Sequence, residues 1–361
     1  MYYKLIFSVK LFIMSFTFRK IVIMDQKEFI KQIKKPETYG ENIDSINFLQ
    51  THISYVALTS KYAYKIKKPV DFGFLDFSTL EKRKYYCNKE VELNSRFSKD
   101  VYLGVYPVTF DGKKYSIDGD GNIVDYAVKM RRLSDEDLLK TRFKKGSVTI
   151  DDIKRIAEAI ADFHKTAKHS REIDKFGNLD VIKFNTDENF EQTECFIEKS
   201  ISQEQYNDLK CWTNEFYKKH KDLFKQRVKD GKIRDCHGDL HMEHICLTDP
   251  IIIFDCIEFN ERFRYSDVLS EIAFLLMDLE FNNGKALSEE LCKAYLNYSG
   301  EKDDDRIHSL IKSYKVYRAY VRGKVTSFTL NDSSISDDKK NQAKKTAQKY
   351  FSLAHSYILE D

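Results

Sequence analysis

The sequence predicts an α+β fold, with a small antiparallel β lobe in front and a larger helical lobe behind. Three observations carry that prediction. Residues 40–130 alternate short runs rich in Val, Ile, Tyr and Thr with Asp-Gly turns, the pattern of antiparallel strands. From 131 onward, apolar residues recur at helical spacing. One polar loop with an apolar hairpin, at 234–260, interrupts the helical half. With 361 residues, 42% of them hydrophobic, the chain is long enough to bury two cores.

In chain order, residues 1–24 stand apart. They are apolar with Lys4, Lys10, Arg19 and Lys20 and no acid. Lys10 splits the run and no Ala-x-Ala follows, unlike a signal peptide. The segment reads as an upstream extension or disordered N-terminus ahead of a start at Met24. Residues 25–130 form the expected N-terminal lobe. Asp25 can cap a helix that carries Phe29, Ile30 and Ile33 and ends at Pro36, with a loop running to 50. Residues 51–70 read as two strands joined near Ser60-Lys61, with Lys65 and Lys67 on one face of the second. Ser78-Thr-Leu-Glu81 is a capping box that opens a helix to about Phe97. Strands follow at 101–110, 114–117 and 123–130. Residues 131–361 form the expected helical lobe. A helix behind Ser147 or Thr149 carries Ile153, Ile156 and Ile160, and residues 171–230 are mostly helical around Trp212 and Phe216. After the 234–260 loop, helices are expected at 267–279, 288–298, 306–329 and 338–359.

Composition excludes several classes. Sixty basic against 57 acidic side chains leave a net charge of +3, not the signature of a nucleic-acid binder. Seven scattered cysteines without a Cys-x-x-Cys pair read as reduced cytosolic thiols, so the expected location is the cytoplasm, with no membrane partner. No Gly-x-x-x-x-Gly-Lys-Ser/Thr loop is present, which disfavours a P-loop enzyme.

The loop itself, His237-Gly-Asp239-Leu-His241-Met-Glu-His244, is followed by a brief strand, a turn, and Ile-Ile-Ile-Phe-Asp255. Two carboxylates so arranged suggest phosphoryl transfer. Asp239 can take the proton of an attacking hydroxyl, and Asp255 can hold the metal that bridges nucleotide phosphates. A turn-capping Asp is the plain alternative for Asp239.

His237-Gly-Asp-Leu-His241 with Ile251-Ile-Ile-Phe-Asp255 resembles the aminoglycoside phosphotransferase and choline kinase family. Tyr64-Lys-Ile-Lys-Lys-Pro-Val, Gly73-Phe-Leu-Asp-Phe-Ser and Ile253-Phe-Asp-Cys-Ile-Glu-Phe-Asn260 are similar to blocks of its uncharacterised bacterial members. The resemblance covers roughly 40–330. It implies a bilobal protein-kinase-like fold, ATP and Mg²⁺ in the cleft between lobes, and γ-phosphate transfer to a small-molecule hydroxyl. It implies Asp239 as catalytic base and Asp255 as metal ligand. Lys65 is the preferred phosphate lysine, Lys67 the alternative on the same face, and Glu90 the partner of that lysine. Residues 130–133 match the adenine hinge, and Asp267 matches a structural Asp that opens a helix.

Two departures matter. The position of the second metal ligand, usually Asn, holds His244. Imidazole suits softer ions than Mg²⁺, so Mn²⁺ enters as an alternative. No Gly-x-Gly-x-x-Gly precedes Lys65, so the turn at 51–54 or at Ser60-Lys61 must cover the phosphates. These departures keep a nucleotide-binding pseudokinase or regulator open, as well as an enzyme that acts on protein or transfers AMP. The aromatic, basic helix around Tyr314, Arg318 and Arg322 reads either as a core stripe with solvated arginines or as an acceptor-pocket wall. His164 reads as a packed histidine, and His241 as either a loop brace or a substrate contact.

Overall fold

The computed structural model describes residues 26–40, 45–332 and 335–359. The proposed extension at 1–24 and the cap at Asp25 lie outside them. Helix α1, Gln26–Gln32, ends before Pro36, which instead opens a 3-10 turn, Pro36–Tyr39. Phe29 of α1 meets the rings of Tyr55 and Tyr115 edge-on and so docks the helix on the sheet.

The sheet has six strands, β1 (Asn47–Gln50), β2 (Ser54–Leu58), β3 (Tyr62–Lys67), β4 (Tyr102–Phe110), β5 (Tyr115–Ile117) and β6 (Asn122–Arg131), in the order β1-β2-β3-β6-β4-β5. Every pairing is antiparallel. Strand β1 falls where a loop was expected. It is an edge strand with three of its four residues open to solvent or nearly so, so burial imposes no alternation on its sequence. Register sets Lys65 opposite Val56 and Val128.

Between β3 and β4, helix α2 (Leu80–Asn94) crosses the sheet. Its cap is Thr79, which accepts from Lys82 N at 3.2 Å, not Ser78. The Ser78 hydroxyl is engaged by Asp76 at 2.6 Å, and that shifts the start by one residue. Cys87, Glu90, Leu93 and Asn94 face inward. Arg83 ties the helix to β6 through Asp125 at 2.8 Å.

The rest is helical: α3 (Leu139–Lys144), α4 (Ile150–Thr166), α5 (Arg171–Asp174), α6 (Leu179–Thr193), α7 (Gln203–Lys219) and α8 (Lys221–Lys229). Thr149 and Asp152 form the capping box of α4, and its Ile153, Ile156, Ala157 and Ile160 enter the largest core. The short strands β7 (Ile233–Asp235), β8 (Ile245–Cys246) and β9 (Ile252–Ile253) follow, then α9 (Glu261–Arg264) and β10 (Tyr265–Asp267). β8 and β9 are the expected hairpin; the pairing of β7 with β10, which closes the polar loop at its base, was not foreseen.

Helix α10 (Val268–Phe281) is central, since every residue from 268 to 279 is buried, as an all-round apolar helix must be. Helices α11 (Lys285–Ser299), α12 (Asp305–Phe328) and α13 (Asp337–Leu359) wrap it. Phe281 stacks on Tyr350 with ring centroids 3.7 Å apart, joining α10 to α13. No helix among the described residues is long and apolar enough to cross a membrane.

Candidate active site

A cavity of about 1350 Å³ opens between the sheet and the helices. The β1–β2 turn at 51–54, Lys65, the segment 130–133, Asp239, His244 and Asp255 all line it. The candidate residues that the sequence scattered over nearly 200 positions therefore meet in one space. Of the two turns considered for covering phosphates, only that at 51–54 lines the cavity. Thr51 Oγ1 shapes it by accepting from Ile53 N and Ser54 N.

Both lysines of β3 reach Glu90. Lys65 Nζ is 2.8 Å from Glu90 Oε1 and 2.6 Å from Asp255 Oδ1. Lys67 Nζ is 2.6 Å from Glu90 Oε2 and also contacts Glu258. They differ in exposure: the Lys65 side chain is 13% open and borders the cavity, whereas that of Lys67 is closed off. Burial alone would pull the Lys65 amine down, but Asp255 and Glu90 more than offset it and hold it well above its ordinary value.

The polar loop is held from below by groups distant in sequence. Glu271, 1% exposed in mid-α10, accepts from His237 N and Gly238 N at 2.5 and 2.8 Å and meets His164 Nε2 at 2.7 Å. Asp278 accepts from Met242 N at 3.0 Å. Arg318 donates to the Gly238 carbonyl at 3.1 Å and the Ser270 carbonyl at 3.2 Å. Arg318 is thus a buried brace of the loop, not a solvated arginine. Gly238 has φ +90°, and a Cβ there would lie 3.0 Å from the Phe263 carbonyl, so only glycine fits. His237 Nε2 donates to the Phe254 carbonyl at 2.8 Å, which ties the loop to the residue before Asp255. Asp267 caps α10 through Leu269 N and binds Arg227 in a fork, as its position in the sequence suggested.

At the centre, His241 is 4% exposed, with Nε2 3.5 Å from Asp239 Oδ2. Burial works against its charge, but Asp239 more than offsets this and raises its pKa, so its ring braces that carboxylate. Burial opposes the ionisation of Asp239 too, yet His241, His244 and Arg322 hold its carboxyl far below the usual range. The carboxylate keeps 35% of its side chain open to the cavity.

His244 is arranged differently. Its Nδ1 lies 2.8 Å from the Asp239 carbonyl. A carbonyl can only accept, so Nδ1 carries the proton and Nε2 keeps its lone pair. That Nε2 faces Asp255 Oδ2 at 3.6 Å. Burial, with His241 nearby, pulls His244 down to about 4, and burial's push on the Asp255 carboxyl is outweighed by Lys65, so Asp255 is ionised. Two lone-pair atoms thus face each other, an arrangement that a shared cation would satisfy. Asp239, His241 and His244 each bring a ligand atom to within 4.8 Å of one another beside it.

His241, in one of its two readings, and Asp267 were legible in sequence as supports of the loop; the other braces escaped the sequence reading. Glu271 had a signal, a lone carboxylate in the apolar run 268–279. Glu258, Tyr102, which accepts from Asp255 N at 3.0 Å, and Arg96, which donates to the Asp235 and Cys236 carbonyls, had none.

With this geometry in hand, comparison with known proteins is informative. The model of the phosphotransferase enzyme family (APH) matches residues 116–308, more than half of the chain. Uncharacterised proteins of Mycobacterium tuberculosis and Mycobacterium bovis are each 35% identical over 282 residues, covering 78% of this chain and 54% of theirs. The chain spans about half the length of the curated relatives it matches. Among solved structures, the GDP and kanamycin complex of APH(2")-IIia aligns with TM-score 0.50 at 15% identity, covering 90% of this chain and 98% of that one. A choline/ethanolamine kinase family protein from Mesorhizobium loti aligns with TM-score 0.50 at 13% identity, covering 92% and 98%. At these identities the likeness establishes the fold, which is protein-kinase-like. The family match begins at residue 116, so Lys65 and Glu90 rest on geometry.

Proposed function

The chain belongs to the phosphotransferase enzyme family, and from that premise we propose that it moves the γ-phosphate of ATP to a hydroxyl of a small molecule. The observation that carries this reading is the convergence of Asp239, His244, Asp255 and Lys65, which Glu90 holds from behind, on one cavity. Asp239 is the catalytic base and Asp255, with His244, holds a divalent ion. The donor set fits such an ion: an ionised carboxylate and a neutral imidazole with their lone pairs turned toward each other. Mg²⁺ or Mn²⁺, when bound, neutralises charge on the phosphate oxygens.

The remaining work falls to side chains. Lys65, held between Glu90 and Asp255, offers its ammonium to the α- and β-phosphates, and residues 130–133 receive the adenine. Backbone N–H groups of the 51–54 turn cover the phosphates in place of a glycine-rich loop. Asp239 accepts a hydrogen bond from the acceptor hydroxyl and orients it. As the acceptor O–P bond forms and the bond from the γ-phosphorus to the β–γ bridging oxygen breaks, the hydroxyl proton passes to Asp239 and ADP departs. A carboxylate with so low a pKa is a weak base, so its main contribution is orientation, in keeping with a loose transition state. The enzyme acts in the cytoplasm, on a free small molecule and a nucleotide.

The test is Asp239→Asn. Turnover of γ-labelled ATP is expected to fall by about 10² to 10⁴, while nucleotide binding and the unfolding transition are retained. Near-wild-type turnover refutes the assignment. A second reading, a nucleotide-binding regulator, is motivated by His244 and the absent glycines; tight ATP binding without any phosphorylated product favours it. Label transferred from α-labelled ATP would instead indicate AMP transfer, and label on protein a protein acceptor.

A further inference from the structure

Residues of α12, α6 and α9 line the same cavity as Asp239. Helix α12 turns Arg322 and Lys324 to it, α6 contributes Glu188, Asn189 and Gln192, and α9 contributes Arg262. Most charges on this wall are matched. Arg262 is paired with Glu188 at 2.6 Å, and Arg322 lies within the field of Asp239 and bonds Tyr350.

Lys324 is not matched. It is 8% exposed, and its ammonium donates only to amide oxygens, Asn189 Oδ1 at 2.6 Å and Gln192 Oε1 at 2.7 Å. The Phe328 ring lies 5.6 Å away. Among the described residues no carboxylate lies within ion-pair distance. Two neutral acceptors leave the third N–H and the full charge uncompensated, a costly arrangement for a buried cation. Burial accordingly draws its pKa down to about 8, with Glu188 too remote to reverse it. The amine is still charged at neutral pH and borders the space an acceptor would fill.

We propose that Lys324, seconded by Arg322, anchors an anionic group, a phosphate or a carboxylate, on the acceptor alcohol. The inference rests on the kinase reading and narrows its substrate class from any hydroxyl compound to a hydroxylated anion.

The experiment is calorimetric titration of the full chain, saturated with Mg²⁺ and ADP, using inorganic phosphate in one arm, acetate in a second and methylamine in a third. Binding of phosphate or acetate is expected, with the tighter arm naming the headgroup. Lys324→Met, which keeps the apolar stem, is expected to weaken that binding about tenfold or more and to leave ADP affinity unchanged. Equal anion affinity in both proteins, anion binding absent from a protein that still takes ADP, or preference for methylamine each overturns the inference and leaves the kinase reading intact. Failure of the wild type to bind ADP removes both. A second measurement needs no variant. In acetic anhydride labelling of the wild type at pH 8, the preferred anion is expected to protect Lys324 several-fold; equal labelling with and without it counts against the proposal.

Discussion

Glu271→Gln tests whether one buried carboxylate sets the shape of the catalytic loop. Glu271 binds two consecutive loop N–H groups and His164 from mid-α10. Burial works against its ionisation, but His164 and the loop amides outweigh it and bring its carboxyl from the usual 4.5 to about 2. A depressed carboxyl pKa stabilises the fold above the unfolded value, and that stability is lost as pH falls through the folded value. Linkage across that shift gives about 3 kcal/mol at pH 7, about 2 kcal/mol at pH 3.5 and nothing well below pH 2. The assay is urea unfolding of both proteins at pH 7 and pH 3.5, because the difference between them cancels the titrating groups that do not touch Glu271 and leaves Glu271 with its partner His164. Glu271→Gln is expected to be less stable by about 3 kcal/mol at pH 7, with the gap narrowing by about a third at pH 3.5. Turnover is expected to fall as well, since a Gln oxygen without charge holds His237 N and Gly238 N weakly. Equal stabilities, or a gap that widens toward acid pH, would refute the reasoning.

Two other outcomes follow. Lys65→Met is expected to fold normally and lose turnover, whereas Lys67→Met strands Glu258 in the interior, leaves Glu90 to Lys65 alone, and is expected to cost about 3–5 kcal/mol in thermal or denaturant unfolding; the reverse pattern would give Lys67 the phosphate role. His244→Asn replaces imidazole by an oxygen ligand and is expected to lower the ratio of Mn²⁺- to Mg²⁺-supported turnover several-fold, and an unchanged ratio would remove His244 from the metal site.

The loop was legible because its chemistry is contiguous: Asp239, His244 and Asp255 lie within one short stretch, and the β8–β9 hairpin fixes their separation. The pair Lys65 and Lys67 was legible only to a face, since alternation sends both the same way. Depth decides between them, and depth depends on α2 and Glu258, which lie elsewhere in the chain. The braces were least legible. Glu271, Asp278 and Arg318 act on the loop from 33 to 80 positions away, and in sequence they are charges on helices. Arg318 in particular reads like a solvated arginine until the Gly238 carbonyl is seen against it. At the sheet edge, β1 left no trace because exposure relaxes the pattern that would have revealed it.

The central claim is that a nucleotide and a divalent ion meet at Asp255. Its most direct test is thermal unfolding of the wild type and Asp255→Asn with ATP, ADP or GTP, each with Mg²⁺, Mn²⁺ or chelator. Nucleotide at 100 times its Kd should stabilise the wild type by about 2.7 kcal/mol, only when metal is present, and the metal-dependent part should vanish in Asp255→Asn. A wild type indifferent to every nucleotide and metal, or an Asp255→Asn protein that responds as fully as wild type, would contradict it.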